Sequence, residues 1–281
     1  TSFATAQTLG NKYTALDKWQ FSKTLSGEWT EVSVPHSYKA VDGQSASYYR
    51  GEAYYKRNIN LSSAQISKPI FILFEGAAQA AEISVNGKLI ARHKGGYTPF
   101  VVSLRGLLKA GKNEILIACD NHEDTELIPV SSDFNKNGGL HNPVYLLEMN
   151  NIYASPVANG MYRLHVSTPK VSDQTAQTIV ATRIMNAASK PVQLKVTTTL
   201  TDKNGKSCFN NTQKITVAAG DSLNFEKQFN LKKPHLWNGL ADPYLYTASV
   251  RITDNSGKTI FDKVDTKVGY RFYRMDAEKG F

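Results

Sequence analysis

The sequence predicts an all-β protein built from many short strands, and three observations lead to that fold class. Apolar and polar residues alternate with a period of two, as in 192–200 and in 246–252, which is the pattern of strands with one buried face. Turn dipeptides such as Asn86-Gly87 and Asn204-Gly205 separate these runs, and Asn-Gly tolerates the positive φ angles of a tight hairpin. No segment keeps helical spacing beyond about three turns.

The length and composition favour a folded protein of more than one domain. The chain has 281 residues, which at about 150 residues per domain predicts roughly two domains. Hydrophobic residues make up 41% and charged residues 20%, a balance that excludes disordered, collagen-like and coiled-coil classes. The longest apolar run, 69–74, has the length of a strand and falls well short of the ~18 residues of a membrane span. The sequence opens on Thr1 without a charged and apolar leader, so we expect either a removed signal peptide or a cut chain.

The charge and the cysteines exclude several partners. Lys and Arg number 33 against 24 for Asp and Glu, a net charge of +9. These basic residues are dispersed along the sequence, whereas a nucleic-acid-binding protein gathers them on one face and usually adds aromatic platforms. We therefore expect no nucleic-acid partner. Cys119 and Cys208 lie far apart, so no disulfide is expected, and no spacing of His, Cys, Asp or Glu indicates a metal or a cofactor.

A domain boundary is predicted near residues 154–156. An apolar strand at 144–149 precedes that segment, and a fresh strand begins at 161–166. The second domain, 157–274, contains about seven strand-like runs, which matches an immunoglobulin-like β-sandwich without its disulfide. The first domain, 1–156, is too long for that fold and has the length of a jelly-roll β-sandwich with about eight or more strands.

A series of short motifs runs through both domains in a fixed order. The motifs are Val34-Pro35-His36, Tyr49-Arg50-Gly51, Phe74-Glu75-Gly76, Val85-Asn86-Gly87, Gly95-Gly96-Tyr97, Asp133-Phe134, Gly138-Gly139, Pro234-His235-Leu236-Trp237, Asp242-Pro243-Tyr244 and Val268-Gly269-Tyr270-Arg271. In order and spacing they resemble glycoside hydrolase family 2, the β-galactosidase and β-glucuronidase family. The first domain is similar to the galactose-binding-like jelly roll of that family and the second to its immunoglobulin-like domain, so the resemblance covers almost the whole chain.

The resemblance implies that the chain is the non-catalytic N-terminal part of a retaining β-glycosidase, most similar to β-galactosidase members. In that family the two catalytic glutamates belong to a TIM barrel, a domain of about 250 residues. Residues 275–281 would then begin the linker to a barrel that this chain lacks, and no catalytic residue is expected here. Asn113-Glu114 imitates the family's catalytic Asn-Glu dipeptide, but it lies at a turn before the strand 115–118 rather than at a barrel strand end.

Asn86 has a structural and a functional interpretation that are compatible with each other. Structurally, Asn86-Gly87 forms the hairpin between strands at 83–85 and 89–91. Functionally, the resemblance implies that the Asn86 amide reaches into a substrate pocket completed by the barrel. An amide offers two donors and an acceptor, which suits sugar hydroxyls.

Asp133 is the second predicted sugar ligand. It lies in the polar loop 131–139, and its spacing to Gly139 resembles that of the family's loop Asp, which contacts the glycone beside the catalytic glutamates. A carboxylate accepts hydrogen bonds from two hydroxyls at once, and the alternative is an Asp that caps a loop turn. The family usually continues with an aromatic residue, Arg and Asp. This chain has His-Asn-Pro at 141–143 instead, and the missing Arg removes an ion pair beside the loop.

Three other prominent groups have structural interpretations. His36, after Pro35, is expected to be a buried, hydrogen-bonded histidine rather than a base, because the sequence suggests no nucleophile or carboxylate beside it. Arg50 is expected to pack between loops on neighbouring aromatic rings. Trp237 is expected in the core or at a domain interface.

Two further functions stay open at this point. A free-standing carbohydrate-binding module would need an exposed aromatic platform, for which Tyr13, Tyr38, Tyr48 and Tyr49 are the candidates. An adhesion or scaffold protein would need a large apolar patch facing another protein. The expected partners are a β-glycoside or oligosaccharide substrate and the missing barrel, and the expected location is periplasmic or secreted. The sequence does not predict an oligomeric state.

Overall fold

The computed structural model describes residues 11–38, 49–122, 124, 126–127, 137–156, 163–273, 275 and 277–278. These residues form two compact units. The first comprises Lys12–Met149, and the second begins at Asn150 and includes Asn11. This division falls before the predicted boundary near residues 154–156, because the strand Ile152–Ala154 pairs with a long strand of the second unit, Thr175–Asn186.

The first unit contains strands β1 to β10 and one helix of a single turn among its described residues. The strands are β1 (Lys12–Ala15), β2 (Lys18–Ser22), β3 (Thr30–Ser33), β4 (Glu52–Leu61), β5 (Ile70–Phe74), β6 (Ala80–Val85), β7 (Lys88–Lys94), β8 (Phe100–Ser103), β9 (Gly111–Asp120) and β10 (Val144–Glu148). Helix α1 (Ser63–Ile66) follows β4. It begins with a capping box in which Ser62 and Gln65 each bond the other's backbone N–H.

Two antiparallel sheets enclose the core of the first unit. One has the order β1-β10-β5-β8, and the other has the order β3-β2-β4-β9-β6-β7. Ile72 and Phe74 from the first sheet and Ile115 and Ile117 from the second are buried in one cluster, so the sheets pack face to face as a β-sandwich. Alternation in β9, where residues 113, 115, 117 and 119 are buried and those between them are half-buried, is the period-two pattern seen in the sequence.

The second unit contains strands β11 to β18. These are β11 (Ile152–Ala154), β12 (His165–Val171), β13 (Thr175–Asn186), β14 (Val192–Thr201), β15 (Ser207–Val217), β16 (Ser222–Lys232), β17 (Tyr246–Asp254) and β18 (Ile260–Val268). One sheet has β13 at its centre, paired with β11 and β12 on one side and β16 on the other, and the second has the order β15-β14-β17-β18. Residues from both sheets share one buried cluster. The predicted all-β fold class is therefore confirmed.

A buried carboxylate fastens the start of the second unit to its last strand. Asp262 of β18 is fully buried, and it accepts a hydrogen bond from the Ala154 backbone N–H at 2.8 Å and forms an ion pair with Arg163. Burial raises the pKa of Asp262 above its usual value, and the positive charge of Arg163 opposes that rise. The pair connects two segments of this unit that are about a hundred residues apart in sequence.

The predicted Asn86-Gly87 hairpin is confirmed. The two residues join β6 to β7 with φ angles of 50° and 79°, the left-handed values that a type I′ turn requires at both positions. Cys119 and Cys208 are free thiols, the first buried and the second exposed. Within the described ranges there is no helix long and apolar enough to cross a membrane.

Candidate functional site

Several loops of the first unit converge at one end of its six-stranded sheet. The register pairs Glu52 at the start of β4 with Asp120 at the end of β9, and it pairs Asp120 with Ala80 at the start of β6. The loops that precede or follow these strands must therefore meet. We call this region the loop end, defined by 49–51, 75–79, 120–122 and 138–142.

Backbone hydrogen bonds knit the loop end together. Ala78 and Gly139 exchange two of them, at 3.0 and 3.2 Å, and the Gln79 N–H donates to the Asp120 carbonyl at 2.6 Å. The Gly95 N–H donates to the Gln79 carbonyl at 3.0 Å. Because these bonds use main-chain groups, the loops hold one arrangement that does not depend on side-chain rotamers.

Buried tyrosines pack against the Gly138-Gly139 pair. A Cβ atom at Gly138 would overlap the ring of Tyr38, and one at Gly139, where φ is 108°, would overlap the Tyr55 hydroxyl. The Tyr38 hydroxyl donates to the Gly51 carbonyl at 2.9 Å. Burial raises the pKa of both tyrosines above the ordinary value, so their hydroxyls stay protonated and available as donors.

His36 occupies the predicted structural role, with less burial than expected. Its Nδ1 forms a 2.8 Å hydrogen bond with the Tyr55 hydroxyl, and its backbone N–H donates to the Leu140 carbonyl at 2.7 Å. The side chain is half-buried, and this burial lowers its pKa. A neutral histidine that is hydrogen-bonded to a tyrosine holds the loop in place, and the predicted hydrogen-bonded state is confirmed.

A groove of about 440 Å³ opens beside the loop end. Two hydrogen bonds join residues of its lining: the Tyr49 hydroxyl donates to the Glu52 carbonyl at 2.7 Å, and the Tyr54 hydroxyl donates to a Glu52 carboxylate oxygen at 2.6 Å. The bond to Glu52 is the main reason that the pKa of Tyr54 rises to about 12. The groove is lined by Lys23, Thr24, Leu25, Tyr49, Arg50, Gly51, Glu52, Tyr54 and His122.

The groove combines aromatic faces with charged groups of both signs. The Lys23 ammonium lies 4.7 Å from the centroid of the Tyr49 ring, a cation–π contact. His122, another lining residue, has its Nδ1 2.6 Å from an Asp120 carboxylate oxygen. Rings that offer an apolar face, together with nearby donors and acceptors, suit a ligand that has apolar C–H faces and a rim of hydroxyls.

Two buried polar atoms mark a second part of the loop end. Within the described part of the chain, Gln79 Nε2 and His141 Nε2 are buried and have no hydrogen-bond partner. Burial lowers the pKa of His141, and Tyr97 packs edge-on against its ring with centroids 5.4 Å apart. Buried polar atoms are nearly always hydrogen-bonded in folded proteins, so this pair is a candidate contact for a polar group from outside the described residues.

Neither Gln79 nor His141 was among the predicted sugar ligands. The one sequence signal for His141 is that it stands where the family pattern has an aromatic residue. Gln79 has no local signal at all, because its position depends on the pairing of Ala78 with Gly139, which are about sixty residues apart. His93 also lies near this region: its ring stacks on Phe100 with centroids 3.8 Å apart, and its Nε2 is 3.0 Å from the Gly95 carbonyl oxygen.

The structure places Asn86 at the other end of the sheet from the loop end. The strand β6 separates Asn86 from Gln79 and spans about 17 Å at 3.4 Å per residue. The Asn86 amide donates to the Leu107 carbonyl at 3.2 Å and to Asn113 Oδ1 at 2.9 Å, and its oxygen accepts from the Glu114 N–H at 3.1 Å. These bonds use both donors and an acceptor site of the amide. The sugar contact of Asn86 stays a prediction.

Asp133 lies outside the described residues. Two described residues on either side of the segment that contains it, Asn121 before and Gly138 after, belong to the loop end. Asn121 is buried, its Oδ1 accepts from the Gly51 N–H at 2.8 Å, and its Nδ2 donates to the Tyr49 carbonyl at 3.3 Å. The structure therefore does not bring Asn86 to the residues that flank Asp133.

The dipeptide Asn113-Glu114 lies inside β9, which begins at Gly111 and so earlier than the predicted strand 115–118. Asn113 is fully buried, and its amide bonds the Lys109 N–H and carbonyl at 2.9 and 2.7 Å. Asn113 therefore stabilises the turn before β9, and its likeness to a catalytic dipeptide is limited to residue type.

The described residues form two β-sandwiches that follow each other in the chain, and the first has a groove of tyrosines and charged residues at its loop end. Residues 14–151 match the sugar binding domain of glycosyl hydrolases family 2, and residues 162–271 match a second domain of the same family. The chain belongs to glycosyl hydrolases family 2. The resemblance recognised in the sequence is thereby confirmed.

Individual relatives match across both units. A β-glucuronidase from Bacteroides fragilis is 30% identical over 94% of this chain, which spans 38% of that protein. A β-galactosidase from Bacteroides ovatus is 25% identical over 90% of this chain, which spans 30% of it. Among solved structures, a Bacteroides uniformis β-glucuronidase has a TM-score of 0.87 at 25% identity, with 95% of this chain and 33% of that one covered. The chain thus spans well under half the length of these relatives.

Proposed function

We propose that this chain supplies the sugar-binding domain and the following domain of a retaining β-glycosidase that releases a terminal sugar from β-glycosides. The observation that carries the proposal is that both domains match this one family in the family's own order, at 14–151 and 162–271. Relatives named β-glucuronidase and β-galactosidase match across both regions. The groove at the loop end provides the wall for a sugar that such a role requires.

The catalytic carboxylates are assigned to a following domain, such as the barrel that the family resemblance implies. Retaining glycosidases use two carboxyl groups about 5–5.5 Å apart, one as nucleophile and one as acid. At the loop end Glu52 and Asp120 are cross-strand partners, but each already holds a neighbour. Glu52 accepts from Tyr54, and Asp120 bonds the backbone and ring of His122. Carboxylates that are hydrogen-bonded in this way hold the residues beside the groove in place, and we assign them no catalytic role.

Asp133 is the sugar ligand that we propose for this wall. Asn121 and Gly138, on either side of the segment 122–137 that contains Asp133, are held by amide and main-chain bonds at the loop end. Fixed residues on both sides of a segment lower the entropic cost of ordering that segment against a ligand. Its carboxylate would accept hydrogen bonds from two hydroxyls of the glycone.

The glycone is proposed to be galactose, with glucuronic acid as the second candidate. The motifs at 49–51, 95–97 and 133–134 resemble β-galactosidase members most. The relative at 30% identity is named a β-glucuronidase, and Lys23 and Arg50 line the groove. Two cations in a groove would favour a sugar that carries a carboxylate.

The experiment compares the longer protein that carries this chain with the 281-residue chain alone. Each is assayed with p-nitrophenyl β-galactoside and p-nitrophenyl β-glucuronide. The longer protein is expected to hydrolyse one of them with retention, and the chain alone neither. Asp133→Asn should lower kcat/KM of the longer protein by about 10- to 100-fold, the value of a charge-assisted hydrogen bond, whereas Asp173→Asn in the second unit should leave it unchanged. Multiple turnovers by the chain alone would contradict the proposal.

A calorimetric titration separates this function from a free-standing carbohydrate-binding module. The isolated chain is titrated with methyl β-galactoside and with glucuronate. Heat that fits a dissociation constant tighter than about 1 mM would favour the module. In the proposed function, tight binding needs the second wall that the catalytic domain supplies.

A further inference from the structure

Four cations form a line across the outer face of the sheet β15-β14-β17-β18. The register places Lys214 of β15 directly opposite Lys195 of β14, and Arg251 of β17 directly opposite Lys263 of β18. Lys195 and Arg251 belong to adjacent strands and are offset by two residues. With neighbouring strands about 4.8 Å apart, the line crosses about 14 Å. We call this surface the basic face.

The side chains of these cations point away from the core. Leu194 and Val196, on either side of Lys195, are fully buried, and so are Val250 and Ile252, on either side of Arg251. Successive side chains of a strand alternate between its two faces. Lys214, Arg251 and Lys263 are exposed and Lys195 is half-buried, so all four charges are accessible from one side.

Like charges directly opposite each other on neighbouring strands are destabilising, and the basic face contains two such pairs. In the first unit, Glu52 and Asp120 are also directly opposite each other, but each is hydrogen-bonded to a neighbouring side chain, and two further cross-strand pairs there have opposite charges. Lys12 is opposite Glu148 and contacts it at 3.5 Å, and Glu82 is opposite Arg92 and contacts it at 2.6 Å. A locally unfavourable arrangement that serves no packing purpose is characteristic of a functional surface.

The cations of the basic face are poorly compensated. Among the described residues, Lys195, Lys214 and Arg251 form no ion pair. Lys263 contacts Asp265 at 3.3 Å, which is the one acid at the outward positions of β18. An external anion would therefore meet a net positive charge.

The remaining outward positions of the basic face are hydroxyl-bearing and polar. Thr197 and Thr212 are cross-strand partners whose hydroxyls are 2.9 Å apart, and Thr199 is opposite Ser249. The outward positions of β14, β15 and β17 carry no aromatic side chain. Hydroxyls between cations can bond the hydroxyls of a polymer whose acidic groups engage the cations.

We propose that the basic face binds an acidic polysaccharide, a chain of sugars that bear carboxylates or sulfates, laid diagonally across the four strands. One strand spacing is comparable to the length of one sugar residue in an extended chain, so regularly spaced acidic groups would bridge Lys214–Lys195 and Arg251–Lys263. A single-stranded nucleic acid would need aromatic platforms, and a membrane surface would need apolar side chains to insert. The proposal concerns binding and goes beyond the hydrolytic function.

The experiment measures binding of the 281-residue chain to soluble polymers. Chondroitin sulfate and hyaluronan are the acidic probes and dextran is the neutral one; duplex DNA and phosphatidylserine vesicles represent other polyanions. The expected result is binding of chondroitin sulfate that weakens steeply with added salt, and no binding of dextran. Binding of hyaluronan as well would assign carboxylates as the groups recognised, and binding of chondroitin sulfate alone would assign sulfates.

Matched variants separate the basic face from bulk charge. The face variant combines Lys195→Thr, Lys214→Thr and Arg251→Thr, because threonine suits exposed strand positions. The control variant combines Lys112→Thr, Lys170→Thr and Lys232→Thr, three exposed lysines that belong to other sheets. The face variant should bind chondroitin sulfate at least about tenfold more weakly, and the control should bind it like the parent. Asp265→Asn, which removes the acid of the face, should strengthen binding.

Three results would overturn the proposal. They are no binding of chondroitin sulfate by the parent chain, an equal loss in the face and control variants, and equally tight binding of DNA or vesicles at the same salt concentration. Because no step depends on hydrolysis, a failure here leaves the glycosidase proposal standing, and a failure there leaves this one standing. Circular dichroism of each variant checks that the sandwich is folded.

Discussion

Tyr38 packs its ring against the α-carbon of Gly138, so closely that any Cβ atom at that glycine would overlap the ring. The Tyr38 N–H also donates to the Gly138 carbonyl at 3.2 Å, and the Tyr38 hydroxyl reaches the Gly51 carbonyl at 2.9 Å. One tyrosine thus connects its own segment to two loops of the loop end. A glycine is required at 138 because of this contact.

Gly138→Ala is therefore expected to destabilise the first unit by about 1–3 kcal/mol, the usual cost of overpacking. Chemical denaturation measures the change. Tyr38→Ala is destabilising as well, but in the double variant the added methyl has room. The double variant should thus lose at least about 1 kcal/mol less than the two single losses added together. Strictly additive losses would show that the two residues do not interact as described.

The stability of the first unit should fall as the pH drops below about 6.5. Burial lowers the pKa values of His36, His93 and His141 from the ordinary value of 6.5. Between the lowered values and 6.5 the unfolded chain binds more protons than the folded one, so the free energy of unfolding rises with pH. The contribution is fully present above 6.5 and is lost as the pH falls through the folded pKa values.

Thermal unfolding at about pH 7.5 and about pH 5 measures this dependence. A variant with Gln at His36, His93 and His141 should show a flatter profile, and a variant with Gln at the exposed His165 should keep the parental slope. A parental profile that is flat, or that rises toward acid, would contradict the expected protonation states.

Local sequence patterns predicted much of the fold, because they depend on interactions between neighbouring residues. Period-two alternation reports directly which face of a strand is buried, and Asn86-Gly87 selects its turn through backbone angles alone. Both depend on neighbouring residues only. The Gly138-Gly139 pair was likewise visible as a motif, although the reason for it, the contact with Tyr38, depends on tertiary structure.

The register between paired strands could not be predicted from the sequence. The amide of Asn86 is used by Asn113 and Glu114, and this follows only once β6 is known to pair with β9. The like-charge pair Lys195–Lys214 requires a specific alignment of β14 with β15, since a shift of one residue moves a side chain to the other face. The membership of 152–154 in the second unit has the same origin.

Asn86→Ala should destabilise the first unit by about 1–3 kcal/mol while leaving the KM of the longer protein for its glycoside unchanged. The loss arises because the Glu114 N–H loses its side-chain acceptor and Asn113 Oδ1 loses one of its two donors, and because alanine tolerates the left-handed φ of 50° poorly. Asn86→Gly, which restores the backbone freedom alone, should recover part of the loss. A raised KM with unchanged stability would instead establish the predicted sugar contact.

Removing one partner of the buried ion pair in the second unit should be among the most destabilising single changes there. Arg163→Met leaves Asp262, which is fully buried, without its counter-charge, and an uncompensated buried charge costs about 3–5 kcal/mol. The double variant Arg163→Met with Asp262→Leu should cost less than Arg163→Met alone, since no charge is then stranded. Equilibrium denaturation compares the variants, and a double variant that is less stable than the single one would show that the carboxylate acts mainly through its bonds to the backbone.

The groove at the loop end should contribute binding rather than chemistry to the longer protein. Tyr49→Ala removes an aromatic face and the hydroxyl that bonds the Glu52 carbonyl, and it also removes the ring under the Lys23 ammonium. If the groove holds the sugar equally in the ground and transition states, KM rises by about tenfold and kcat is unchanged. Tyr54→Phe keeps a ring and should have a smaller effect in the same direction.

Tyr145→Ala, which replaces a half-buried tyrosine outside the groove, is the matched control and should leave KM at the parental value. A fall in kcat at constant KM for Tyr49→Ala would show that this tyrosine stabilises the transition state. Unchanged values of both kcat and KM would show that the groove does not bind the sugar.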